Sequence, residues 1–380
     1  MKKIITLMLV LTLLATALVG CSKPAETPAP AETPAETPAE TPAETPAETP
    51  ATEGKIAKFG LGQNISIAKS KDKGVDANGK EVLAQAQMDV TMAAVGFDAD
   101  GKVVSVTLDV VQPKVAFDAD MKVTSDVAAE VQTKKDLKEG YGMKGASGIG
   151  KEWFEQAAAF EEWMIGKTVE EIKGLKVKEV NPTHQNVPDV PELTSSVTIT
   201  VESYIAAVEE AWTNAVDAPG AETVGLGVET HISGRDKGVD ANGKEVLPRA
   251  QSDTYMTATA FDAEGKVVAT VIDNAQVRVN YDAEGKVTDD KAVAGRTKHE
   301  LKEEYGMTKA SAIGKEWFEQ MTAFQEWMAG KTIDEITGLK VKEANPTHKN
   351  VPDVPELTST VTITVEGYLA VVKEAAEMAR

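Results

Sequence analysis

The segment Ile149–Gln156 reads IGKEWFEQ, and the same eight residues return at Ile313–Gln320, 164 residues further along the chain. In both places apolar residues continue at helical spacing, so each copy predicts an amphipathic helix. Four of the five tryptophans of the chain lie on these two helices. The repeated segment therefore predicts two similar units with one tryptophan-bearing helix in each.

The repeat extends well beyond this helix. At the same offset, DKGVDANGKEVL occurs at Asp72–Leu83 and Asp236–Leu247, and NVPDVPELTS occurs at Asn186–Ser195 and Asn350–Ser359. A period of this length is typical of whole globular domains, whereas solenoid repeats are roughly 20 to 50 residues long. We therefore predict two tandem globular domains, each able to bury its own core.

Within each unit, strands come first and helices afterwards. Residues 85–97 and 102–111 are rich in Val, Thr and Met with partial alternation, and the intervening Asp98–Lys102 segment is typical of a glycine-containing hairpin turn. Helical spacing predicts further helices over 168–175 and 200–212. The expected fold class is α+β, with two tandem copies of a small domain whose mainly antiparallel sheet is packed by helices.

The first fifty residues have a different composition. Residues 1–20 carry two lysines and then an apolar run too short to span a membrane, which is typical of an export signal. The run ends in Leu-Val-Gly-Cys, which resembles a bacterial lipobox and implies cleavage before Cys21 and a diacylglycerol on its thiol. The alternative is ordinary secretion with an unmodified thiol. A PAETP-type repeat follows and predicts an extended acidic stalk.

These segments divide the chain into four parts. We predict a lipoprotein signal peptide at 1–20, the lipidated Cys21 with the stalk at 21–53, one domain at 54–217 and a second at 218–380. The expected location is the outer face of the cell membrane, with a lipid anchor of the Gram-positive type.

The composition excludes several classes of protein. The chain has 380 residues, one Cys, four His and a net charge of −20. A single Cys excludes a disulfide scaffold and thiolate metal clusters, and the acidic balance argues against a nucleic-acid partner. The Asp-rich turns lack the end positions of an EF-hand loop, so they predict tight turns rather than calcium sites. His184 and His348 lie in Asn-Pro-Thr-His loops without a catalytic partner, which predicts solvated histidines.

A glycine-containing loop precedes the tryptophan helix in each unit. It reads YGMKGASGIG at Tyr141–Gly150 and YGMTKASAIG at Tyr305–Gly314, so the second copy lacks two of the four glycines that a phosphate-binding loop would use. We predict that Ser147 and Ser311 act as helix N-caps. The Tyr and Met side chains of these loops are expected either to pack in the core or to line a pocket for an aromatic ring.

The segment before the last helix of each unit is dense in hydroxyl groups. It reads ELTSSVTIT at Glu192–Thr200 and ELTSTVTIT at Glu356–Thr364. A phosphate on a threonine oxygen just ahead of a helix would lie among unpaired backbone N–H groups at the positive end of the helix dipole. The segment therefore suits a covalently held phosphate. The alternative is an edge strand that ends in a threonine N-cap.

This segment resembles the flavinylation motif of the FMN-binding domain family, found in the Rnf and Nqr redox-complex subunits. The family pattern is Asp-x-x-Ser/Thr-Gly-Ala-Thr ahead of a helix, and a flavin transferase uses FAD to attach FMN to its last Thr through a phosphoester bond. The resemblance implies that Thr198 and Thr362 are the acceptors. The matching acidic and hydroxyl positions are Glu192, Ser195, Glu356 and Ser359. Because Glu replaces Asp and Ser-Val or Thr-Val replaces Gly-Ala, other hydroxyls stay open as acceptors: Thr194, Thr200, Thr358 and Thr364.

The loop, the tryptophan helix, the lipobox and the stalk together resemble the two-domain flavinylated lipoproteins of Gram-positive extracellular electron transfer. The resemblance implies an electron carrier with two covalent FMN groups rather than a substrate-specific enzyme. Electrons would come from a membrane quinol-linked oxidoreductase and pass to ferric iron or flavins. The predicted flavin ring contacts are Tyr141, Met143, Trp153, Tyr305, Met307 and Trp317. The alternative is a cofactor-free lipoprotein that binds a peptide or sugar, or a wall-associated adhesin.

Overall fold

The computed structural model describes residues 55–182 and 184–380, which belong to one compact unit. The signal peptide, the lipidated Cys21 and the stalk were predicted for residues that lie outside this described part. Among the described residues, no helix is long and apolar enough to cross a membrane.

The first half of the structure places most of its strands before its helices. Its strands are β1 Ile56–Ser66, β2 Gly74–Val75, β3 Glu81–Val82, β4 Gln85–Gln87, β5 Asp89–Phe97, β6 Val103–Val111, β7 Lys114–Ala116, β8 Val177–Lys178 and β9 Val187–Pro188. Its helices are α1 Lys134–Leu137, α2 Trp153–Met164, α3 Val169–Lys173, α4 Pro191–Thr194 and α5 Glu202–Thr213. Helices α2, α3 and α5 correspond to the three helices that the sequence predicts.

The second half repeats this order with longer strands. Its strands are β10 Val216–Ala221, β11 Thr223–Arg235, β12 Gly238–Val239, β13 Glu245–Val246, β14 Arg249–Phe261, β15 Val267–Asn280, β16 Val341–Lys342 and β17 Val351–Pro352. Its helices are α6 Lys298–Leu301, α7 Trp317–Met328, α8 Ile333–Thr337 and α9 Glu366–Met378. Helix α7 follows α2 by 164 residues, as the repeated segment predicts.

Two antiparallel sheets form the centre of the structure. One sheet has the strand order β10-β1-β5-β6, and the other has the order β11-β14-β15. One face of each sheet contributes to a single shared core, in which Phe59, Met92, Met256 and Tyr281 are buried. Helices α2 and α5 cover the other face of the first sheet, and α7 and α9 cover that of the second. The expectation of a mixed α and β fold with mainly antiparallel sheets is confirmed.

The hairpin predicted between β5 and β6 is present. Asp98 Oδ1 accepts the N–H groups of Asp100 at 2.9 Å and Lys102 at 2.8 Å, and Gly101 has a φ of 76°. The turn around Gly265 has the same geometry. Because the aspartate oxygen binds the backbone of its own turn, the prediction of tight turns is confirmed. Among the described residues no group of three or more His, Cys, Asp or Glu side chains could hold a metal ion.

Helix α5 packs against β1 at a distance that only glycine permits. A Cβ on Gly60 would lie 1.8 Å from the carbonyl oxygen of Ala211, and one on Gly62 would lie 1.9 Å from that of Ala207. Strand β11 has the same relationship with α9. This close approach fixes each closing helix on its sheet and therefore fixes where the preceding threonine segment lies.

Reciprocal hydrogen bonds join the two halves. Asp72 Oδ1 accepts the N–H group of Val287 at 3.0 Å, and Asp236 Oδ1 accepts that of Val123 at 2.8 Å. Both aspartates begin the repeated DKGVDANGKEVL segment. Each half thus gives the other the same contact, as in the self-complementary interface of a two-fold symmetric dimer.

Candidate functional site

A buried carboxylate organises the glycine-containing loop of the first half. Glu152 is 4% exposed, and its side chain accepts the N–H groups of Met143 at 2.7 Å and Lys144 at 2.9 Å. The same residue is the N-cap of α2, which begins at Trp153. The prediction that Ser147 caps this helix is therefore wrong, because the helix starts several residues later than the serine.

The second half repeats this arrangement. Glu316 is the N-cap of α7, and its carboxylate accepts the N–H groups of Met307 at 2.7 Å and Thr308 at 2.9 Å. Ser311 is not the N-cap, so this prediction is also wrong. Hydrogen bonds from backbone N–H groups to an ionised carboxylate are roughly twice as strong as neutral ones. The loop therefore has a firmly fixed backbone in both halves.

A glutamine on the tryptophan helix joins this loop to the threonine segment. Gln156 is fully buried, and its Nε2 donates to Ser147 Oγ at 3.1 Å. Its Oε1 accepts both the backbone N–H of Thr198 at 2.8 Å and the hydroxyl of Thr198 at 3.2 Å. Gln320 makes the same two bonds to Thr362, at 2.8 and 3.2 Å. The predicted acceptor threonines thus occupy the same defined position in the two halves.

The threonine segment is irregular rather than a strand. Helix α4 ends at Thr194 and α5 begins at Glu202, two residues later than expected. The alternative of an edge strand with a threonine N-cap is wrong, since the N-cap position is held by Val201, which provides no side-chain hydrogen bond in the described structure. The first N–H groups of α5 therefore lack a side-chain acceptor, and Thr198 lies four residues ahead of them.

Two buried hydroxyl groups in this segment have no partner. Among the described residues, Thr200 Oγ1 and Thr364 Oγ1 are shielded from solvent and make no hydrogen bond. A buried polar atom left in this state costs about 1 to 3 kcal/mol. The unpartnered atom recurs at equivalent positions of both halves, and a water molecule or a bound group at this position would supply the missing hydrogen bond.

A cavity of about 550 Å³ opens beside the threonine segment of the first half. Tyr141, Met143 and Trp153 line it together with Lys134 and Thr200. The structure therefore brings the three predicted ring contacts of this half together in one cavity. Their neighbour there is the alternative acceptor Thr200, while Thr198 lies outside the lining.

Lys134 places a positive charge in this cavity. Its side chain is buried, and its Nζ lies 4.8 Å from the ring centroid of Tyr141 and 5.3 Å from that of Trp153. Burial, together with the neighbouring Lys69, lowers the pKa of Lys134 to about 8. An ammonium held over two aromatic faces suits a ligand that is anionic, aromatic or both.

The second half has two smaller cavities near its threonine segment and its glycine-containing loop. One, of about 400 Å³, is lined by Lys298, Tyr305 and Met307, and the other, of about 290 Å³, by Met307 and Thr362. Met307 borders both cavities, whereas Tyr305 and Thr362 lie in different ones. Trp317 is buried in the core and donates from Nε1 to a tyrosine hydroxyl of α9 at 2.9 Å.

The remaining predicted motif positions are exposed. These are Glu192, Ser195, Glu356 and Ser359. In the described structure their side chains make no hydrogen bond with the acceptor threonines. His184 and His348 are exposed as predicted, and each has its Nδ1 about 3 Å from the amide oxygen of the asparagine three residues earlier. His184 also lines the 550 Å³ cavity.

Sequence reasoning missed three pairs of site residues. They are Lys134 and Lys298, Glu152 and Glu316, and Gln156 and Gln320. The glutamines left a signal in the sequence, because a polar residue stands on the apolar face of the tryptophan helix in both copies. The glutamates and lysines left none, since their roles depend on where each helix begins.

No family model and no solved structure matches the chain. A chlorophenol reductase of Desulfitobacterium hafniense is 48% identical over 42 residues, which are 11% of this chain and 13% of that protein. The similarity is thus confined to a short segment of each protein.

Proposed function

We propose that the protein is a membrane-anchored, extracytoplasmic electron carrier with one covalently attached FMN in each half. The observation that carries the proposal is the contact between Gln156 and Thr198 and its repeat between Gln320 and Thr362. In both halves a buried amide holds a threonine hydroxyl four residues ahead of a helix whose N-cap residue makes no side-chain hydrogen bond. Such a position favours a phosphate group.

The surrounding residues fit a flavin nucleotide. The 550 Å³ cavity lies within the range of about 300 to 1,000 Å³ that is usual for small-molecule sites. It offers the half-buried ring of Tyr141 and the ammonium of Lys134, while Trp153 is buried in its wall. The unpartnered hydroxyl of Thr200 supplies a polar group at its edge.

The proposed attachment is a transfer from FAD. The hydroxyl oxygen of Thr198 attacks the flavin-side phosphorus of FAD, a new P–O bond forms, the P–O–P bond breaks, and AMP leaves while the hydroxyl proton is released. A flavin transferase catalyses this step. Only the hydroxyl hydrogen of Thr198 is lost, so its backbone N–H still binds Gln156 and the segment keeps its place.

Bound FMN would supply one-electron and two-electron redox chemistry, and the chain would supply position and charge. Trp153 is fixed by packing and by the bond from its Nε1 to the hydroxyl of Tyr204 at 2.8 Å. Tyr141 and Met143 sit on the loop that Glu152 holds, so the side chains facing the ligand have rigid supports.

The domain boundaries and the partners that we propose are those expected from the sequence. The halves would be two copies of an FMN-binding-type domain, at 54–217 and 218–380, on a stalk anchored through Cys21. A membrane quinol-linked oxidoreductase would donate electrons, and ferric iron or flavins would accept them. The support is the recurrence of the site residues at one offset along the chain. The tether would also keep the carrier at a high effective concentration near its donor.

Intact mass tests the proposal. We would co-express the full-length chain with a flavin transferase, purify it from membranes in detergent, and record its mass and visible spectrum. We expect two FMN-sized additions, one lost in Thr198→Ala and the other in Thr362→Ala, with both kept in the control Thr213→Ala. A colourless chain of unmodified mass would overturn the proposal. Additions that survive both substitutions but disappear in Thr200→Ala and Thr364→Ala would move the acceptors by two residues.

A further inference from the structure

The 400 Å³ cavity of the second half gathers positive charge in an acidic protein. Arg278, Arg296 and Lys298 line it, and Glu304 is the one carboxylate among its described lining residues. The whole chain, in contrast, carries a net charge of −20. Three positively charged side chains around one cavity are therefore unusual in this acidic protein and require a physical explanation.

Lys298 is not paired at close range with any carboxylate in the described part of the chain. Its Nζ lies over the rings of Tyr305 and Trp317, at 5.1 and 5.7 Å from their centroids, and makes no ion pair with any residue that the structure describes. Burial lowers the pKa of Lys298 to about 8. Asp253 and Asp273 act in the opposite direction, but their attraction does not offset the loss of water around this ammonium.

Arg278 also lacks a carboxylate partner. Its Nε donates to the side-chain oxygen of Gln251 at 2.8 Å, and its Nη2 donates to that of Gln276 at 2.9 Å. Both acceptors are neutral amides, and within the described part of the chain no acidic side chain pairs with this guanidinium. These bonds orient Arg278 but leave its charge uncompensated.

Like charges crowd around this cavity. Burial lowers the pKa of Arg249, and the guanidinium groups of Arg278 and Arg235 lower it further. Burial and, to a smaller extent, Arg278 lower the pKa of Lys298, while Asp253 and Asp273 raise it. Repulsion of this kind is unfavourable until an anion joins the cluster.

We propose that this cavity binds a small, multiply charged oxyanion group, held mainly by Lys298 and Arg278. Arg296 is occupied by Glu304, with Nη1 and Nη2 at 2.6 and 3.3 Å from its carboxylate oxygens. Tyr305 adds an aromatic face beside the charged groups. The inference rests on the charges of the cavity and does not depend on the attachment of FMN.

The two halves differ at this place, which gives an internal comparison. The first half keeps a cation at the counterparts of both proposed contacts, Lys114 for Arg278 and Lys134 for Lys298. It has uncharged residues at three other equivalent positions: Gln132 for Arg296, Gly140 for Glu304 and Gln85 for Arg249. Its larger cavity also contains an internal ion pair between Lys69 and Asp89, at 2.8 Å. Lys114 is not among the described residues that line that cavity, whereas Arg278 lines the 400 Å³ cavity together with Lys298. We therefore assign the oxyanion site to the second half.

Calorimetry on the unmodified full-length chain in detergent, at low salt, tests this site. We would titrate citrate, inorganic phosphate and acetate, so that the first two distinguish clustered carboxylates from phosphate. We expect one site for citrate or phosphate and at least about tenfold weaker binding of acetate. Arg278→Gln and Lys298→Met should each weaken binding about tenfold or more, since each removes one charge-assisted contact.

A variant that is expected to strengthen anion binding distinguishes an effect on binding from damage to the fold. Glu304→Gln removes the carboxylate and releases Arg296, so it should tighten binding about tenfold, which damage to the fold would not do. Lys114→Gln changes the equivalent strand position of the first half and should leave the affinity unchanged. Absence of binding by both citrate and phosphate would overturn the proposal, as would an affinity that Glu304→Gln fails to increase.

Discussion

Gln156 Oε1 lies 2.8 Å from the backbone nitrogen of Thr198 and 3.2 Å from its hydroxyl oxygen, so one buried amide holds both the main chain and the side chain of this threonine. The other end of the same amide donates to Ser147. The loop and the threonine segment, which are distant in sequence, are thus fixed to the same helix.

We expect Gln156→Leu to lower the free energy of unfolding by about 2 to 3 kcal/mol, because a part-buried N–H group loses its acceptor. Urea denaturation followed by tryptophan fluorescence measures the loss. The exposed Gln185→Leu should stay within about 0.5 kcal/mol of the parent. Equal stability of the two variants would contradict the role of the amide.

The contact between β1 and α5 predicts a severe effect of a single methyl group. In Gly60→Ala the new Cβ would meet the carbonyl oxygen of Ala211 at 1.8 Å. The helix must then move, and we expect a loss of about 3 kcal/mol or more, or no soluble protein. Gly74→Ala is the matched control, since nothing lies within 4 Å of its Cβ position. A Gly60→Ala protein as stable as this control would contradict the packing.

Buried carboxyl groups predict that stability falls as the pH rises above about 4.5. Burial raises the pKa of Asp109 to about 6 and that of Asp273 to about 7. The unfolded chain releases these protons near pH 4, so between pH 4 and 7 the folded state binds more protons and loses stability with increasing pH. We expect a decrease on the order of 2 kcal/mol from pH 5 to 7.5, measured by urea midpoints.

The same titration has a built-in control. Asp273→Asn removes one of the two buried titrating aspartates and should reduce the slope of stability against pH between pH 5 and 7.5, while the exposed Asp120→Asn should not. Burial also raises the pKa of Glu210 and Glu374 to about 7, so part of the slope should remain in the Asp273→Asn variant. A stability that rises over this range would show that the aspartates are not buried.

Lys134 predicts a gain of stability on its removal. Its ammonium is buried without an ion pair in the described structure, so Lys134→Met should stabilise the unmodified protein by about 1 kcal/mol. The neighbouring Lys135 pairs with the buried Glu161 at 2.7 Å, and Lys135→Met should instead destabilise. Thermal melting of the two variants checks the opposite signs. A loss of stability in both would argue that Lys134 has a structural role.

The main helices and strands could be predicted from the sequence, whereas the packing of the two sheets against each other could not. The spacing of Trp153 and Phe160 predicts α2 because helical periodicity is local. The pairing of the two sheets depends on which strand face meets the other half. Strand β5 is buried along nearly its whole length, so it shows little of the alternation that distinguishes a solvent face from a core face.

The site was predictable only in part, for a similar reason. Hydroxyl density and the family pattern drew attention to Thr198, and the loop drew attention to Tyr141 and Met143. The N-caps were placed at Ser147 and Ser311 because serine favours that position, but Glu152 and Glu316 occupy it. Cap identity depends on backbone dihedral angles, which the sequence does not state.

The shared core predicts that neither half is stable alone. The apolar face that holds Phe59 and Met92 is covered by residues of the other sheet, so a chain of residues 55–221 would expose it to water. We expect this fragment to aggregate or to form a homodimer that mimics the natural pair, as sedimentation would show. A monomeric, cooperatively folded fragment would contradict the shared core.

The reciprocal hydrogen bonds of Asp72 and Asp236 also affect the distance between the two threonine segments. Because both halves are fixed to one common core, the two threonine segments keep a constant separation, unlike domains that swing on a flexible hinge. Electrons would then be transferred between the two sites over a fixed distance. The transfer rate would depend on the protein that separates the sites and not on a conformational change.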